Sequence, residues 1–185
     1  RYVMCQIAVN TMFSPEFPIK ASDVECFEPE AMFTYDLLSN LRDKYPDIDF
    51  CFVVGSDWFQ SGTNISSWRS VNRSWKPGDP EDQKSVVSGH KLLAEFDFLV
   101  VPRPGYVIES NPDDPTGLQR FGPRLRWLNM PDSMTFIEGN LSSTEIRKRS
   151  LDGKAAPERR SLVTIEGLVP PGVLAYIRRA CLYSA

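Results

Sequence analysis

The segment Phe50-Cys51-Phe52-Val53-Val54-Gly55-Ser56-Asp57 has the pattern of a strand that ends in a tight turn. Its apolar part, residues 50–54, has the length and the β-branched content of a buried strand in a parallel sheet. Open α/β sheets bind their ligands at the carboxyl ends of their strands, which is where Gly55 and Asp57 stand. We therefore predict a ligand site at this strand end, with a plain turn as the alternative.

A second informative segment is Leu141-Ser142-Ser143-Thr144-Glu145-Ile146-Arg147, close to the end of the chain. It places three hydroxyl residues where a helix should begin and an arginine inside that helix. The amino end of a helix offers free N–H groups and positive potential, and arginine adds a forked donor for phosphate oxygens. The segment predicts a phosphate site, and an ordinary helix cap is the alternative.

Hydrophobic periodicity along the chain indicates an α/β fold. The predicted helices cover residues 1–11, 30–45, 143–150 and 172–180, and the predicted strands cover 19–25, 50–54, 98–101 and 135–137. Strands that alternate with helices predict a Rossmann-like parallel sheet flanked by helices. Residues 70–84 and 110–131 are polar and rich in Pro and Gly, so we expect them to be loop inserts of one domain that covers residues 1–185.

Composition restricts the function classes. A net charge of −3 gives no electrostatic footprint for nucleic acid. No apolar run approaches the roughly 18 residues of a membrane span, so we expect no membrane partner. The four cysteines are scattered, form no Cys-x-x-Cys pair, and include Cys51 inside the predicted buried strand. These features favour a reduced cytoplasmic or nuclear protein without structural zinc.

Taken in order, the motifs resemble the nicotinamide/nicotinate mononucleotide adenylyltransferases. That family has a strand ending in Gly-x-Asp, then a Trp-Arg pair, then Ile-Ser-x-Thr-x-Ile-Arg near the carboxyl terminus. Here the three motifs are Gly55-Ser56-Asp57, Trp68-Arg69 and the segment 141–147. The likeness covers nearly the whole chain. It implies a nucleotidyltransferase that joins the phosphate of a pyridine mononucleotide to the α-phosphorus of ATP, giving NAD or deamido-NAD and pyrophosphate.

One departure from the family pattern is large. The family opens with a β-α-β unit that carries His-x-Gly-His, whereas the only histidine here is His90, in Ser88-Gly89-His90-Lys91. We therefore expect that the first β-α-β unit is missing from this chain by truncation. The alternative is a degenerate homologue.

The resemblance also implies roles for individual residues. Asp57 would accept hydrogen bonds from the ribose diol of ATP, and Trp68 would stack on the pyridine ring. The implied ATP-binding residues are Gly55, Asp57, Leu141, Ser142, Thr144 and Arg147, of which Ser142 and Arg147 are catalytic through the phosphates. The implied mononucleotide-binding residues are Phe33, Thr34, Trp68 and Arg69. Mg²⁺ is expected to enter with ATP through its phosphates, with no ligand from protein side chains.

Several alternatives stay open from the sequence alone. Trp68 could be a core residue, and Arg103, at a predicted strand end, could be a solvated charge. Two other functions are possible. One is another adenylyltransferase, such as one acting on pantetheine phosphate, and the pair Trp68-Arg69 argues against it. The other is a non-catalytic nucleotide-binding or scaffold protein. Preference for the amide or the acid mononucleotide and homo-oligomerisation are not decided.

Overall fold

The segment around Phe50 forms a strand of a parallel sheet, as predicted. In the computed structural model, which describes residues 1–129, 131, 143–152 and 165–183, strand β1 (Cys51–Gly55) pairs in parallel with β4 (Asp97–Val101). Strand β4 in turn pairs in parallel with β5 (Leu125–Trp127), giving the order β1-β4-β5.

Helices pack against this sheet within a compact unit, Glu30–Glu138. Its helices are α2 (Thr34–Lys44) and α3 (Gly89–Glu95). Leu38 of α2 and Leu92 and Leu93 of α3 share a buried core with Phe98 and Val100 of β4. A parallel sheet with helices packed against it is the predicted α/β, Rossmann-like fold.

Strand β1 is less buried than its sequence predicts. Val54 lies in the core and Phe52 is half-buried, whereas Cys51 is exposed and Val53 is 59% exposed. Side chains alternate across a strand, and none of the described residues covers the face that carries Cys51 and Val53. The prediction that Cys51 is buried inside the strand is therefore wrong for the described structure.

The predicted loop inserts contain regular structure. A two-stranded antiparallel ribbon forms from β2 (Arg69–Val71) and β3 (Ser85–Val87), and a short 3-10 turn (Glu81–Lys84) leads into β3. Strand β5 lies inside the second predicted loop, 110–131. Conversely, residues 19–25 form no strand, because an alternating pattern needs a partner for its backbone groups and none of the described residues pairs with them.

A second compact unit consists of Arg1–Pro29 and Gly139–Ala185. It contains α1 (Tyr2–Met12), α4 (Ser143–Asp152) and α5 (Pro171–Arg179), which confirm three predicted helices. The predicted face of α1 packs on α5 through Met4, Ile7 and Ala8, which contact the buried residues Ile165, Val173, Leu174 and Ile177. The predicted strand at 135–137 lies outside the described residues.

Candidate functional site

The carboxyl end of β1 carries two of the predicted ligand-binding residues. Gly55 ends the strand, and Asp57 lies in the 3-10 turn Ser56–Phe59 that follows at once. The hydroxyl of Thr63 donates a hydrogen bond to the carbonyl oxygen of Asp57, which fixes the backbone of the turn. The side chain of Asp57 keeps 20% of its surface exposed, so a ligand can reach it.

Asp57 forms an ion pair with Arg103, which follows the neighbouring strand β4. Nη1 of Arg103 donates to Oδ2 of Asp57 at 2.8 Å. The sheet register brings the two strand ends together: Gly55, the last residue of β1, is opposite Val101, the last residue of β4, so the segments that follow them leave the sheet at the same edge. The backbone N–H of Arg103 also donates to the hydroxyl oxygen of the fully buried Ser56 at 2.9 Å. Arg103 is thus tied to the end of β1 by both backbone and side chain, while 45% of its side chain stays exposed.

The side chains of Asp57 and Arg103 crowd position 55, which glycine occupies. A Cβ built on Gly55 would stand 2.3 Å from Oδ1 of Asp57 and 2.7 Å from Cδ of Arg103. Oδ1 of Asp57 is itself buried and has no hydrogen-bond partner among the described residues. The Gly-x-Asp spacing therefore has a local structural reason: the carboxylate and the arginine stem occupy the space that a side chain at position 55 would fill.

Trp68 lies in an aromatic pair near the same strand end. Its ring meets the ring of Trp58, a residue of the turn after β1, edge to face, with centroids 5.0 Å apart and an interplanar angle of 86°. Trp68 is half-buried and packs on the edge of the core, whereas Trp58 is 40% exposed. Trp68 therefore packs against the core and keeps part of its surface exposed.

The backbone of Trp68 is held by the amino end of α3. The carbonyl oxygen of Trp68 accepts hydrogen bonds from the N–H groups of Ser88 (2.8 Å) and Gly89 (2.9 Å). The 3-10 turn Ile65–Ser67 just before Trp68 approaches α3 so closely that a Cβ on Gly89 would stand 2.0 Å from the carbonyl oxygen of Ile65. Two backbone hydrogen bonds and a glycine contact thus fix the position of Trp68.

Arg69 holds the ribbon together. Its Nε donates to Oγ of Ser85 at 2.7 Å, and its Nη2 donates to the carbonyl oxygen of the same residue. Nη2 also reaches the carbonyl oxygen of Asp82 at 3.4 Å. In this arrangement the guanidinium joins β2 to β3.

Phe33 and Thr34 lie at the start of α2, because this helix begins at residue 34 and not at residue 30 as predicted. Phe33 has an extended backbone and precedes the helix, and Thr34 is the first helical residue. The helix start is tied to the ribbon by Asp36, whose Oδ2 accepts the backbone N–H of Val71 at 2.8 Å. Asp36 is buried, and the sequence reasoning missed it. An acidic residue in the first turn of a helix was the available signal, but it usually indicates only a favourable dipole contact.

The predicted phosphate segment is described from Ser143 onward. Ser143 begins α4, and Thr144 and Arg147 are exposed, with Nη2 of Arg147 3.3 Å from Oγ1 of Thr144. The hydrogen bond from Arg149 lowers the pKa of Glu145, so that the carboxylate of Glu145 stays ionised on the surface of the helix. Leu141 and Ser142 lie outside the described residues. Thr144 and Arg147 belong to the second compact unit, and Asp57 and Trp68 to the first.

The loop after β4 is an ordered element in its described part. Asp114 is buried, accepts the hydroxyl of Thr116 at 2.9 Å, and accepts the backbone N–H of Arg120 at 3.3 Å. Desolvation alone would raise the pKa of Asp114, but the hydrogen bonds from Thr116 and from backbone N–H groups outweigh it and lower that pKa. The indole N–H of Trp127 also donates to the carbonyl oxygen of Thr116, at 2.8 Å, which ties the loop to β5.

Across residues 1–129, 143–152 and 165–183, no group of three or more His, Cys, Asp or Glu side chains could hold a metal ion. No helix in the described part of the chain is long and apolar enough to cross a bilayer.

Comparison with known proteins identifies the family. No protein-family model matches the sequence. The chain is 30% identical, over all of its length, to a protein of Mycolicibacterium smegmatis named "probable nicotinate-nucleotide adenylyltransferase", and it spans 68% of that relative. A relative of the same name from Corynebacterium jeikeium is 26% identical over 99% of the chain, which spans 73% of it.

A solved structure supports the same assignment. The Plasmodium falciparum nicotinic acid mononucleotide adenylyltransferase complexed with NaAD matches with a TM-score of 0.55 and 25% identity. The match covers 84% of this chain and 59% of the Plasmodium chain, so this chain spans less than two thirds of the solved one. Sequence relatives and fold therefore agree, and the chain belongs to the nicotinate-nucleotide adenylyltransferase family.

Proposed function

We propose that the protein transfers the adenylyl group of ATP to a pyridine mononucleotide in NAD biosynthesis. A phosphate oxygen of the mononucleotide forms a bond to the α-phosphorus of ATP. The bond from that phosphorus to the bridging oxygen breaks, and pyrophosphate leaves with the electron pair. Because the nucleophile is already an anion, the protein has to align two polyanions and offset their repulsion, and it needs no activated side-chain nucleophile.

The end of β1 is the observation that carries this proposal. A parallel strand ends in Gly55 and the accessible carboxylate of Asp57, at the sheet edge where α/β folds bind nucleotides. We assign Asp57 to the ribose of ATP, with Gly55 leaving room for the approach. Leu141, Ser142, Thr144 and Arg147 are assigned to the adenine and the phosphates of ATP, and Arg147 supplies the forked donor.

The aromatic pair supports a pyridine mononucleotide as the second substrate. We assign the accessible face of Trp68 to the pyridine ring. A pyridinium ring is electron-poor, and the electron-rich indole face attracts it. Phe33 and Thr34 at the start of α2 are assigned to the pyridine substituent through their backbone amides. We assign Arg69 to the mononucleotide as well: Nε and Nη2 of its guanidinium bind Ser85 and set its position, and the side chain is exposed.

The acid form of the mononucleotide is the better supported acceptor, since the relatives carry the nicotinate name. Mg²⁺ enters as part of the substrate, bound to the phosphates of ATP.

The test uses protein expressed from its complete reading frame. It is incubated with ATP and Mg²⁺ and with either nicotinate or nicotinamide mononucleotide, and the dinucleotide and pyrophosphate are measured separately. We expect equal amounts of both products and a higher kcat/KM with the acid. Asp57→Asn should raise the KM for ATP, whereas Asp97→Asn, at the opposite end of β4, should not. Absence of dinucleotide with both acceptors would refute the proposal.

A further inference from the structure

The carboxylate of Asp57 has little acceptor capacity left for a ligand. One oxygen, Oδ1, is buried beside Gly55, and the other, Oδ2, already accepts Nη1 of Arg103. A carboxylate oxygen has two lone pairs. The accessible acceptor position is therefore the second lone pair of Oδ2.

Arg103 is well placed to fix that position. Its backbone is anchored on the buried Ser56, and its guanidinium lies 5.9 Å from the ring centroid of Tyr106. The turn 103–106 is closed by a hydrogen bond from the N–H of Tyr106 to the carbonyl oxygen of Arg103 at 3.1 Å. Because the arginine is held at its backbone, its side chain restricts the rotation of the Asp57 carboxylate.

We propose that Arg103 is a positioning residue that makes Asp57 recognise one hydroxyl of the ATP ribose and not both. The inference rests on the proposed function, because it takes the ligand at Asp57 to be a ribose. Without Arg103 the carboxylate turns freely and presents either oxygen to either hydroxyl. The ion pair between Arg103 and Asp57 thus determines which ribose hydroxyl Asp57 binds, in addition to how tightly ATP binds.

The experiment measures binding by titration calorimetry on protein from the complete reading frame, so that it does not depend on turnover. The probes are ATP, 2′-deoxy-ATP and 3′-deoxy-ATP, each with Mg²⁺. In the parent protein, one analogue should bind roughly 10- to 100-fold more weakly than ATP, as expected for a lost hydrogen bond to a charged group. The other analogue should bind within about twofold of ATP, because its missing hydroxyl has no partner on Asp57.

Variants then test Arg103 itself. In Arg103→Ala the ratio between the two analogues should fall to within about threefold, and Arg103→Lys should restore part of the ratio because it keeps one donor. The matched control is Arg124→Ala, which removes an arginine paired with Asp97, 3.8 Å away at the other end of β4. It should keep the parental ratio. Melting temperatures of all variants show whether each folds.

Two results would overturn the inference: equal weakening by both analogues in the parent, or a parental ratio in a folded Arg103→Ala. A failure of the proposed transferase function would give a different pattern of ATP binding and dinucleotide formation. If the protein binds ATP with the expected ratios and forms no dinucleotide, the transferase proposal fails and the role of Arg103 stands. If the protein does not bind ATP, both fail.

Discussion

Replacing Gly89 with alanine should separate the Trp68 segment from helix α3. A Cβ at this position would stand 2.0 Å from the carbonyl oxygen of Ile65 and 2.5 Å from the carbonyl carbon of Ser66. Neither atom can yield alone, because both belong to the backbone of the turn Ile65–Ser67. The turn and the start of α3 must therefore move apart.

The cost follows from the contacts that this movement breaks. The carbonyl oxygen of Trp68 would lose its hydrogen bonds from Ser88 and Gly89, each worth about 0.5–1.5 kcal/mol net. Ile65, which is fully buried, would lose packing as well. We expect a loss of about 2–4 kcal/mol in the free energy of unfolding, at the high end for a single substitution.

Urea denaturation measures this loss. The midpoint should fall by roughly 1–2 M for a domain of this size. Gly62→Ala is the matched control, because a Cβ there meets no heavy atom within 4 Å. It should leave the midpoint unchanged or raise it slightly. If Gly89→Ala were as stable as Gly62→Ala, the close approach of the turn to α3 would not exist in the protein.

Three further predictions concern the proposed site and its surroundings. Trp68→Ala should raise the KM for the mononucleotide by roughly 2- to 30-fold, the equivalent of about 0.5–2 kcal/mol, and leave the KM for ATP nearly unchanged, with Trp68→Phe between the two. Equal damage to both substrates with a lower melting temperature would instead make Trp68 a structural residue. Arg147→Ala should cost about 2–4 kcal/mol of transition-state stabilisation in kcat/KM, and Arg147→Lys should recover part of it; parental kinetics in both variants would leave α4 without a phosphate role. Asp114 has a lowered pKa in the fold, so its contribution to stability is present above the ordinary carboxyl pKa and is lost as pH falls through the lowered value. Asp114→Asn should flatten the acid limb of a plot of stability against pH, and an unchanged limb would contradict the hydrogen bonding assigned to this loop.

The elements that the sequence predicts well are those with a local pattern. Four predicted helices and the strands β1 and β4 form close to their predicted limits, because periodicity and the stops at proline depend on neighbours in the sequence. The placement of Gly55 and Asp57 at a strand end follows from the same local information. These features are enough to predict the α/β fold and one side of the candidate site.

The remaining features depend on partners far away in the sequence. Asp36 holds Val71 across 35 residues, and Arg103 holds Asp57 across 46 residues. No local pattern specifies either pair. The ribbon β2–β3 was not predicted for the same reason. Its three-residue strands are too short to show a hydrophobic period, and contacts between the two strands stabilise them. The strand predicted at residues 19–25 is the opposite error, because the sequence alternates there but no strand in the described part of the chain pairs with it.

The pairing of Asp57 with Arg103 shows what the sheet register, which depends on residues far apart in the sequence, adds to the site predicted from sequence alone. Because Gly55 is opposite Val101 in parallel strands, both chains leave the sheet at the same edge, and there the carboxylate of Asp57 meets the guanidinium of Arg103. The two neighbours of Arg103 in the sequence are Pro102 and Pro104, neither of which carries a charge. The prolines also restrict the backbone on both sides of Arg103 and provide no N–H for continued sheet pairing. The sequence Pro102-Arg103-Pro104 thus ends β4 and sets one charged side chain at this strand end, so the register that packs the core also brings Arg103 to the same sheet edge as Asp57.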